Sequence, residues 1–431
     1  MRNVIGLDFG TTNSAIAVAT ADGTARLAHF VDGEQRTTTF RSLLYFDPEN
    51  LGPAGKPQAV GGPDAIAHYL QAEARGRLIQ SMKSHLGSPN FKHTVIFNST
   101  FTLEELIAML IRMLKTAAET QFGPIGDRVV VGRPAHFSGT ETDAEDATAL
   151  ERLRVAIEQG GFTQVEFELE PVAAAYEYEQ QLDHDELVLI ADFGGGTSDF
   201  SLIQLGPTAR ARGQRQKDIL GTDGVAIAGD AFDSRMVHHL IAPPLGLGSR
   251  YRTPFGRELT APPWIYEKLE RWHQLSFLKT RETMETLRQL QFQSLEPDKI
   301  AALVHVVRED LGYQLAQAVE RTKCLLSERE TSPFTFRDPP VAITEAVLRN
   351  AFETWLAADL QALAGCVDRL LARSGVTAKD IDSVFLTGGS SFVPAVRRIF
   401  AQRFGAARLR GGGELTTVAK GLALRALVEK W

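Results

Sequence analysis

A two-lobed α/β protein is predicted from three features of the sequence. The stretch Val4–Val18, "VIGLDFGTTNSAIAV", is an apolar run that breaks at Asp8, bends through Gly10, Thr11 and Thr12, and resumes as a second apolar run. The stretch Val188–Leu202, "VLIADFGGGTSDFSL", repeats it in register: 192 minus 8 is 184, and that offset also places Val188, Phe193 and Gly194 on Val4, Phe9 and Gly10. After each copy, short apolar runs alternate with helical spacing, the pattern of strands and crossover helices. A period of this length is far beyond a solenoid unit and points to two similar lobes, 1–185 and 186–414.

In the first lobe, strands are expected at Val4–Phe9, Ser14–Ala19, Ala25–Val31 (after an Asp22-Gly23 turn) and Ser42–Phe46. The Pro and Gly residues between Asp47 and Pro63 suggest a long loop, and Asp64–Arg75 a helix. Leu103–Glu119 is a helix, because Leu103, Leu106, Ile107, Leu110, Ile111 and Leu114 share one face. Arg128–Val131 is a short strand, Asp143–Gln159 a helix stopped by Gly160-Gly161, and Val165–Leu169 a strand. Glu170 then opens a helix with Pro171 in its first turn.

In the second lobe, Leu187–Phe193 and Ser198–Leu205 form the repeated hairpin, and "GDAFDSRMVHHL" a helix. Pro243–Pro263 is Gly/Pro-rich surface. Helices are expected over Trp264–Lys279, Pro297–Glu328 and Glu345–Arg373, with a strand at Phe334–Phe336. Ser383–Leu386 is a strand leading into Thr387-Gly388-Gly389-Ser390 and a helix to Phe404. A final helix, Thr417–Lys430, belongs to a closing segment, 415–431, that returns to the first lobe; residues 230–342 make an enlarged insertion.

Composition bounds the function. The chain has 431 residues, 44% hydrophobic and 23% charged, an ordinary globular balance. A net charge of −7 argues against broad basic recognition of nucleic acid. Cys324 and Cys366 carry no zinc spacing, and the ten histidines, His238-His239 included, carry none either. The early first strand leaves no space for a leader, and no window of 18 apolar residues predicts a span, so the cytoplasm is the expected compartment. Trp264, Trp272 and Phe277 read more readily as core than as a partner surface.

The bends carry the chemistry. Each delivers a carboxylate, Asp8 or Asp192, to a strand end, followed by glycine and hydroxyl residues: Gly10, Thr11, Thr12 and Asn13, then Gly194, Gly195, Gly196 and Thr197. Successive backbone N–H groups in such a turn make an anion-binding concavity. Two of them facing each other would grip a polyphosphate. The carboxylates would repel it unless a hard divalent cation lay between, and magnesium takes one or two carboxylates plus phosphate oxygens.

Together, "GLDFGTTNS", "LEPVAAAY", "ADFGGGTSDFS" and "LTGGSSFVP" resemble the ATPase domain of the seventy-kilodalton heat-shock protein family, within the actin and sugar-kinase superfamily, most closely its YegD-type chaperone-like members. The resemblance implies an actin-like ATPase fold whose two lobes each hold a duplicated ribonuclease-H-like βββαβα core with inserted subdomains. It implies ATP or ADP and Mg2+ as cofactors, with K+ a candidate further ion. Asp8 and Asp192 would meet the metal through water, and Thr11 and Thr12 the phosphates. Lys83, in "SMKSHLG", Glu170, Asp199 and Thr197 would form the catalytic set around the γ-phosphate and attacking water. Gly229 and Asp230 in "AGDAFD", Glu320, Lys323 and Ser327 in "ERTKCLLSE", and Gly388, Gly389 and Ser390 would hold adenosine.

Two departures stand out. Cys324 occupies a position where many members carry arginine, and the aspartate usual in the closing helix is missing from "LTTVAKG", with Glu414 the nearest acid. The chain stops at Trp431, so no peptide-binding region is expected. The reading is therefore a slow, magnesium-dependent ATPase whose nucleotide-driven lobe closure is read by an unidentified protein partner, without nucleic acid or membrane. A small-molecule kinase of the same superfamily, a non-hydrolysing nucleotide-binding scaffold and a filament-forming protein are the alternatives.

Overall fold

The computed structural model describes residues 4–428 apart from 21–22, 34, 53–54, 73–75, 90, 213–214, 272–274, 276–277 and 412–415. Asp22, Trp272, Phe277 and Glu414 thus lie outside the described residues, as do the far ends of the helices expected at 64–75 and 417–430. The chain is mixed α/β and divides into two compact units, Met1–Gly229 with Gln361–Trp431, and Asp230–Leu360.

The first unit is built on two sheets. One contains Val4–Phe9, Asn13–Ala19 and Ala25–Leu27 as an antiparallel meander, with Arg128–Arg133 and Gln164–Leu169 added in parallel on the other side of the first strand. The other has Glu186–Phe193, Ser198–Leu205 and Ile219–Val225 as its meander, with Ser383–Thr387 and Leu409–Arg410 parallel beyond the first strand. Strand order and pairing direction are the same in both sheets.

Helices cover the sheet faces for reasons visible in their sequences. Leu103–Phe122 and Asp143–Gln159 each start with a reciprocal cap, Thr102 with Glu105 and Thr142 with Glu145, which satisfies two orphan N–H groups apiece. Their apolar faces bury Leu106, Leu110, Leu153 and Ile157 against Ile5, Leu7 and Val129 of the first sheet. On the opposite side, Glu170–Glu179 and the closing helix Thr417–Val428 join both sheets in a second core. There Val172, Val418 and Leu422 pack with Val130, Val188 and Ile190. Close approach decides two glycines: a Cβ on Gly6 would lie 2.3 Å from the Ala419 carbonyl oxygen, and one on Gly421 would overlap the Ala173 carbonyl.

The second unit holds short helices, a small hairpin, Arg250–Arg252 with Glu258–Thr260, and a longer one, Thr331–Asp338 with Val341–Leu348. Arg235 fastens its first helix to Asp359 through a two-pronged contact of 2.9 and 3.0 Å.

The structure departs from the sequence expectations at several elements. The supposed loop at 47–63 contains the hairpin Leu43–Leu51 with Pro57–Gly61; the irregularity at Pro48 falls in a register shift between Phe46 and Leu51, where a missing N–H is tolerated. The long helix at 297–328 is two, Pro297–Arg308 and Gly312–Glu328, parted at Asp310, whose φ of 54° no helix accommodates. The helix expected from Glu345 begins at Arg349, because Val341, Ile343 and Val347 alternate inward on a strand. The helix Arg281–Gln293 escaped the sequence reading; it buries only Leu287 and Leu290. Trp264 is not core but 38% exposed, with Lys268 over its ring.

Candidate functional site

Both hairpins end in the same register. Asp8 pairs across the strands with Ala15 and Phe9 with Ser14; Asp192 pairs with Asp199 and Phe193 with Ser198. The same four-residue bend follows in each, and the 184-residue offset holds through the register. It also exposes an asymmetry: the first hairpin has Ala15 where the second has Asp199.

Neither Gly10 nor Gly194 is among the positive-φ residues. Gly10 is required for space instead, since a Cβ there would stand 2.1 Å from the Asn13 carbonyl oxygen. The Gly194 N–H donates to the Thr197 carbonyl at 2.9 Å, closing the second bend. The bends meet. A Cβ on Gly196 would lie 3.3 Å from Thr11 Oγ1 and 3.9 Å from Ser84 Oγ. Thr12 gives its carbonyl to the Ser42 N–H at 2.9 Å, which pins the first bend to the chain that follows. Asn13 opens the second strand opposite Arg41.

Charged side chains gather around the strand ends that lead into these bends. Lys83 Nζ, on the single turn Met82–His85, stands 2.6 Å from Glu170 Oε1, and both residues are buried. Glu170 is positioned by the end of its strand and by Pro171 in the first helical turn. A Cβ on Gly132 would lie 3.1 Å from Glu170 Cγ, so the neighbouring strand makes space for it. Asp199 Oδ1 accepts from the Ala135 N–H at 2.6 Å. It sits opposite Gly224, whose added Cβ would come within 2.9 Å of that oxygen.

Four carboxylates thus share a basin with one ammonium. Burial and the charge of Glu170 raise the Asp8 carboxyl to about 7, against the pull of Lys83. Burial and Glu170 likewise raise Asp199 to about 7, opposed by its bonds from Ala135 and Thr197. Asp192 is pushed well above the usual carboxylate range by burial, then by Glu170, Asp8 and Asp199. Burial alone would lower Lys83, but Glu170, Asp8 and Asp199 overcome it and hold the amine charged. Such crowding of like charges is costly and makes the basin a candidate functional site. Among the described residues, no group of three or more His, Cys, Asp or Glu side chains is arranged to hold a metal directly.

The residues expected around adenosine fall into two places. In the first unit, Gly388 has φ 81°, and a Cβ there would lie 2.1 Å from the Phe193 carbonyl oxygen; Gly389–Phe392 follow as one tight turn with Ser390 buried. Gly229 donates its N–H to the Gly194 carbonyl at 3.5 Å. In the second unit, Lys323 Nζ lies 2.6 Å from Asp233, and burial, which lowers its pKa, is outweighed by Asp233, Glu320 and Asp230. Ser327 donates its hydroxyl to the Lys323 carbonyl at 3.3 Å, and Cys324 is exposed. His238 and His239 serve packing: His238 bonds Glu270 at 2.6 Å and His239 stacks on Trp355.

Sequence reasoning missed Ser84, Ala135, Gly224 and Asp233. Gly224 lies on Ile219–Val225, a strand that was not expected from the sequence, and Ala135 acts through its backbone and had no signal.

The family model for Hsp70 protein matches residues 4–244 and 306–430. The chain belongs to the Hsp70 family. It therefore has the actin-like ATPase fold and the nucleotide-binding, chaperone-type ATPase character of that family, whose members bind ATP and ADP with magnesium. Among the described residues, no helix is long and apolar enough to cross a membrane.

Proposed function

We propose that this chain binds ATP with magnesium at the paired bends and hydrolyses it slowly, and that nucleotide shifts it toward a closed arrangement which a protein partner reads. The observation that carries the reading is twofold: Gly196 meets Thr11, and Asp8, Lys83, Glu170, Asp192 and Asp199, two of which end the strands that lead into the bends, form one electrostatic cluster. Gly10–Asn13 and Gly194–Thr197 would offer N–H and hydroxyl donors to the phosphates. The excess of carboxylate over ammonium suits a divalent cation. Asp8 and Asp192 would hold Mg2+ through water, and the ion would supply charge neutralisation at the phosphate oxygens. K+ remains a candidate second ion of the same basin.

Phosphoryl transfer asks for position and electrostatics more than covalent chemistry. Lys83 would bind the transferring phosphate. Asp199, fixed by the Ala135 N–H, and Glu170 would accept hydrogen bonds from the attacking water, and Thr197 would orient it. Gly229, Asp230, Glu320, Lys323, Ser327, Gly388, Gly389 and Ser390 would serve adenosine. The matching order of the two sheets supports a duplicated ribonuclease-H-like core in lobes 1–185, with 415–431, and 186–414, with the insertion at 230–342. The resemblance supports the finer YegD-type affiliation.

Phosphate release by the wild type, Asp199→Asn and Lys83→Ala tests the assignment. Loss of about 10²-fold or more is expected for each substitution; equal rates in all three would remove the assigned roles. A sugar or polyol phosphorylated at the expense of ATP would instead establish the kinase alternative.

A further inference from the structure

Lys83 and Ser84 are carried into the basin by a weakly structured segment. Beyond the turn Met82–His85 its described residues form no helix or strand before His93, and it begins at Ser81, whose φ of 53° is unfavourable for serine. Met82 and Leu86 anchor it in the core, and the His85 ring stacks on Phe91 at 5.0 Å. Its backbone carbonyls turn outward to a single side chain. Arg152 Nη1 contacts the carbonyl oxygens of His85, Leu86 and Ser88 at 3.3, 3.1 and 3.2 Å, and Nη2 that of Phe91 at 2.9 Å. Arg152 Nε donates to Glu104 Oε1 at 2.6 Å.

The guanidinium is suited to this work: it is planar, permanently charged and carries five donors in a fixed fork, where an ammonium has three on one atom. Arg152 lies on Asp143–Gln159 and Glu104 on Leu103–Phe122, the two helices packed on the first sheet. The clamp therefore ties the carrier of Lys83 to the rigid part of the unit. Its outer side opens on a shallow concavity of about 460 Å³ that Glu104, Thr148, Glu151 and Arg152 help to line, so water can reach the carbonyls if the arginine is removed.

We propose that Arg152 is a positioning residue for Lys83 and Ser84. It fixes the backbone that carries them without touching substrate. This inference rests on the ATPase reading of the basin. Without the clamp the segment slides, Lys83 loses its station at the transferring phosphate, and the phosphate-binding bends stay intact. The loss falls on turnover rather than on affinity.

The test compares wild type, Arg152→Ala, Arg152→Lys and Glu104→Gln. Two quantities are read: kcat and KM for ATP, and, without nucleotide, the rate at which an N-hydroxysuccinimide ester acylates Lys83, followed by mass spectrometry. Both arginine variants lower kcat by on the order of 10–10² with KM within about twofold. They raise Lys83 acylation by about tenfold, the factor carried by one or two net hydrogen bonds. Glu104→Gln breaks the ion pair but keeps the four carbonyl contacts, so it leaves both quantities near wild type. Arginine variants with wild-type kcat and wild-type acylation overturn the proposal. So does a Glu104→Gln variant that behaves as they do. A wild type that releases no phosphate removes the ATPase reading, while the acylation comparison still decides the role of Arg152.

Discussion

Replacing Lys83 with methionine keeps the side-chain length and deletes the ammonium that pairs with Glu170 among the basin's carboxylates. Glu170 then loses a partner at 2.6 Å and faces Asp8, Asp192 and Asp199 alone. Removing one partner of a buried ion pair costs about 3–5 kcal/mol. The carboxylates can relieve part of this by taking up protons, and that gives the effect its pH dependence. Asp8 and Asp199 already stand near 7 in the folded protein, against about 4 unfolded. A carboxyl raised on folding binds a proton that the unfolded chain does not hold between those two values, so stability falls as pH climbs through that window and stays low above it. Lys83 lowers both groups, so its loss extends the window upward. The variant should melt on the order of 5–10 °C below wild type at pH 8.5 and within a few degrees of it at pH 6. Differential scanning calorimetry across that range, without nucleotide, measures this. Equal melting temperatures at pH 8.5, or a gap that widens toward acid, would refute the shared basin.

Gly10→Ala places a methyl 2.1 Å from the Asn13 carbonyl oxygen, so the first bend must open; ATP affinity by calorimetry should fall at least about tenfold while the fold, checked by circular dichroism, persists. Phosphate release by the wild type should rise about tenfold between pH 6 and pH 8, because Asp199 must be ionised to draw a proton from the attacking water and its carboxyl stands at about 7. Asp199→Asn should flatten that profile, and a profile that falls with pH would exclude Asp199 as the acceptor.

The site's centre was legible in the sequence because two bends of unusual composition stand at a fixed offset, and the register Asp192 to Asp199 follows from counting along a hairpin. What surrounds it was less legible. Ala135 contributes a backbone N–H, which leaves no mark on side-chain identity. Arg152 is one charged residue on a helix, and only the tertiary course of His85–Phe91 reveals its role. The end of the strand Val341–Leu348, from Glu345 on, was absorbed into a helix because it runs directly into a helical pattern, and its hairpin partner Thr331–Asp338, only two residues upstream, showed in the sequence only at Phe334–Phe336. Asp310 parts two amphipathic helices with one backbone angle that no composition rule flags. Trp264 lies exposed although tryptophan is usually buried.

That the paired bends grip phosphate through a metal is tested most directly by titration calorimetry with ATP in the presence and absence of magnesium. Saturable binding to one site, weakened by a factor of at least about ten when magnesium is chelated, is the predicted result. No binding, or binding indifferent to magnesium, would contradict it.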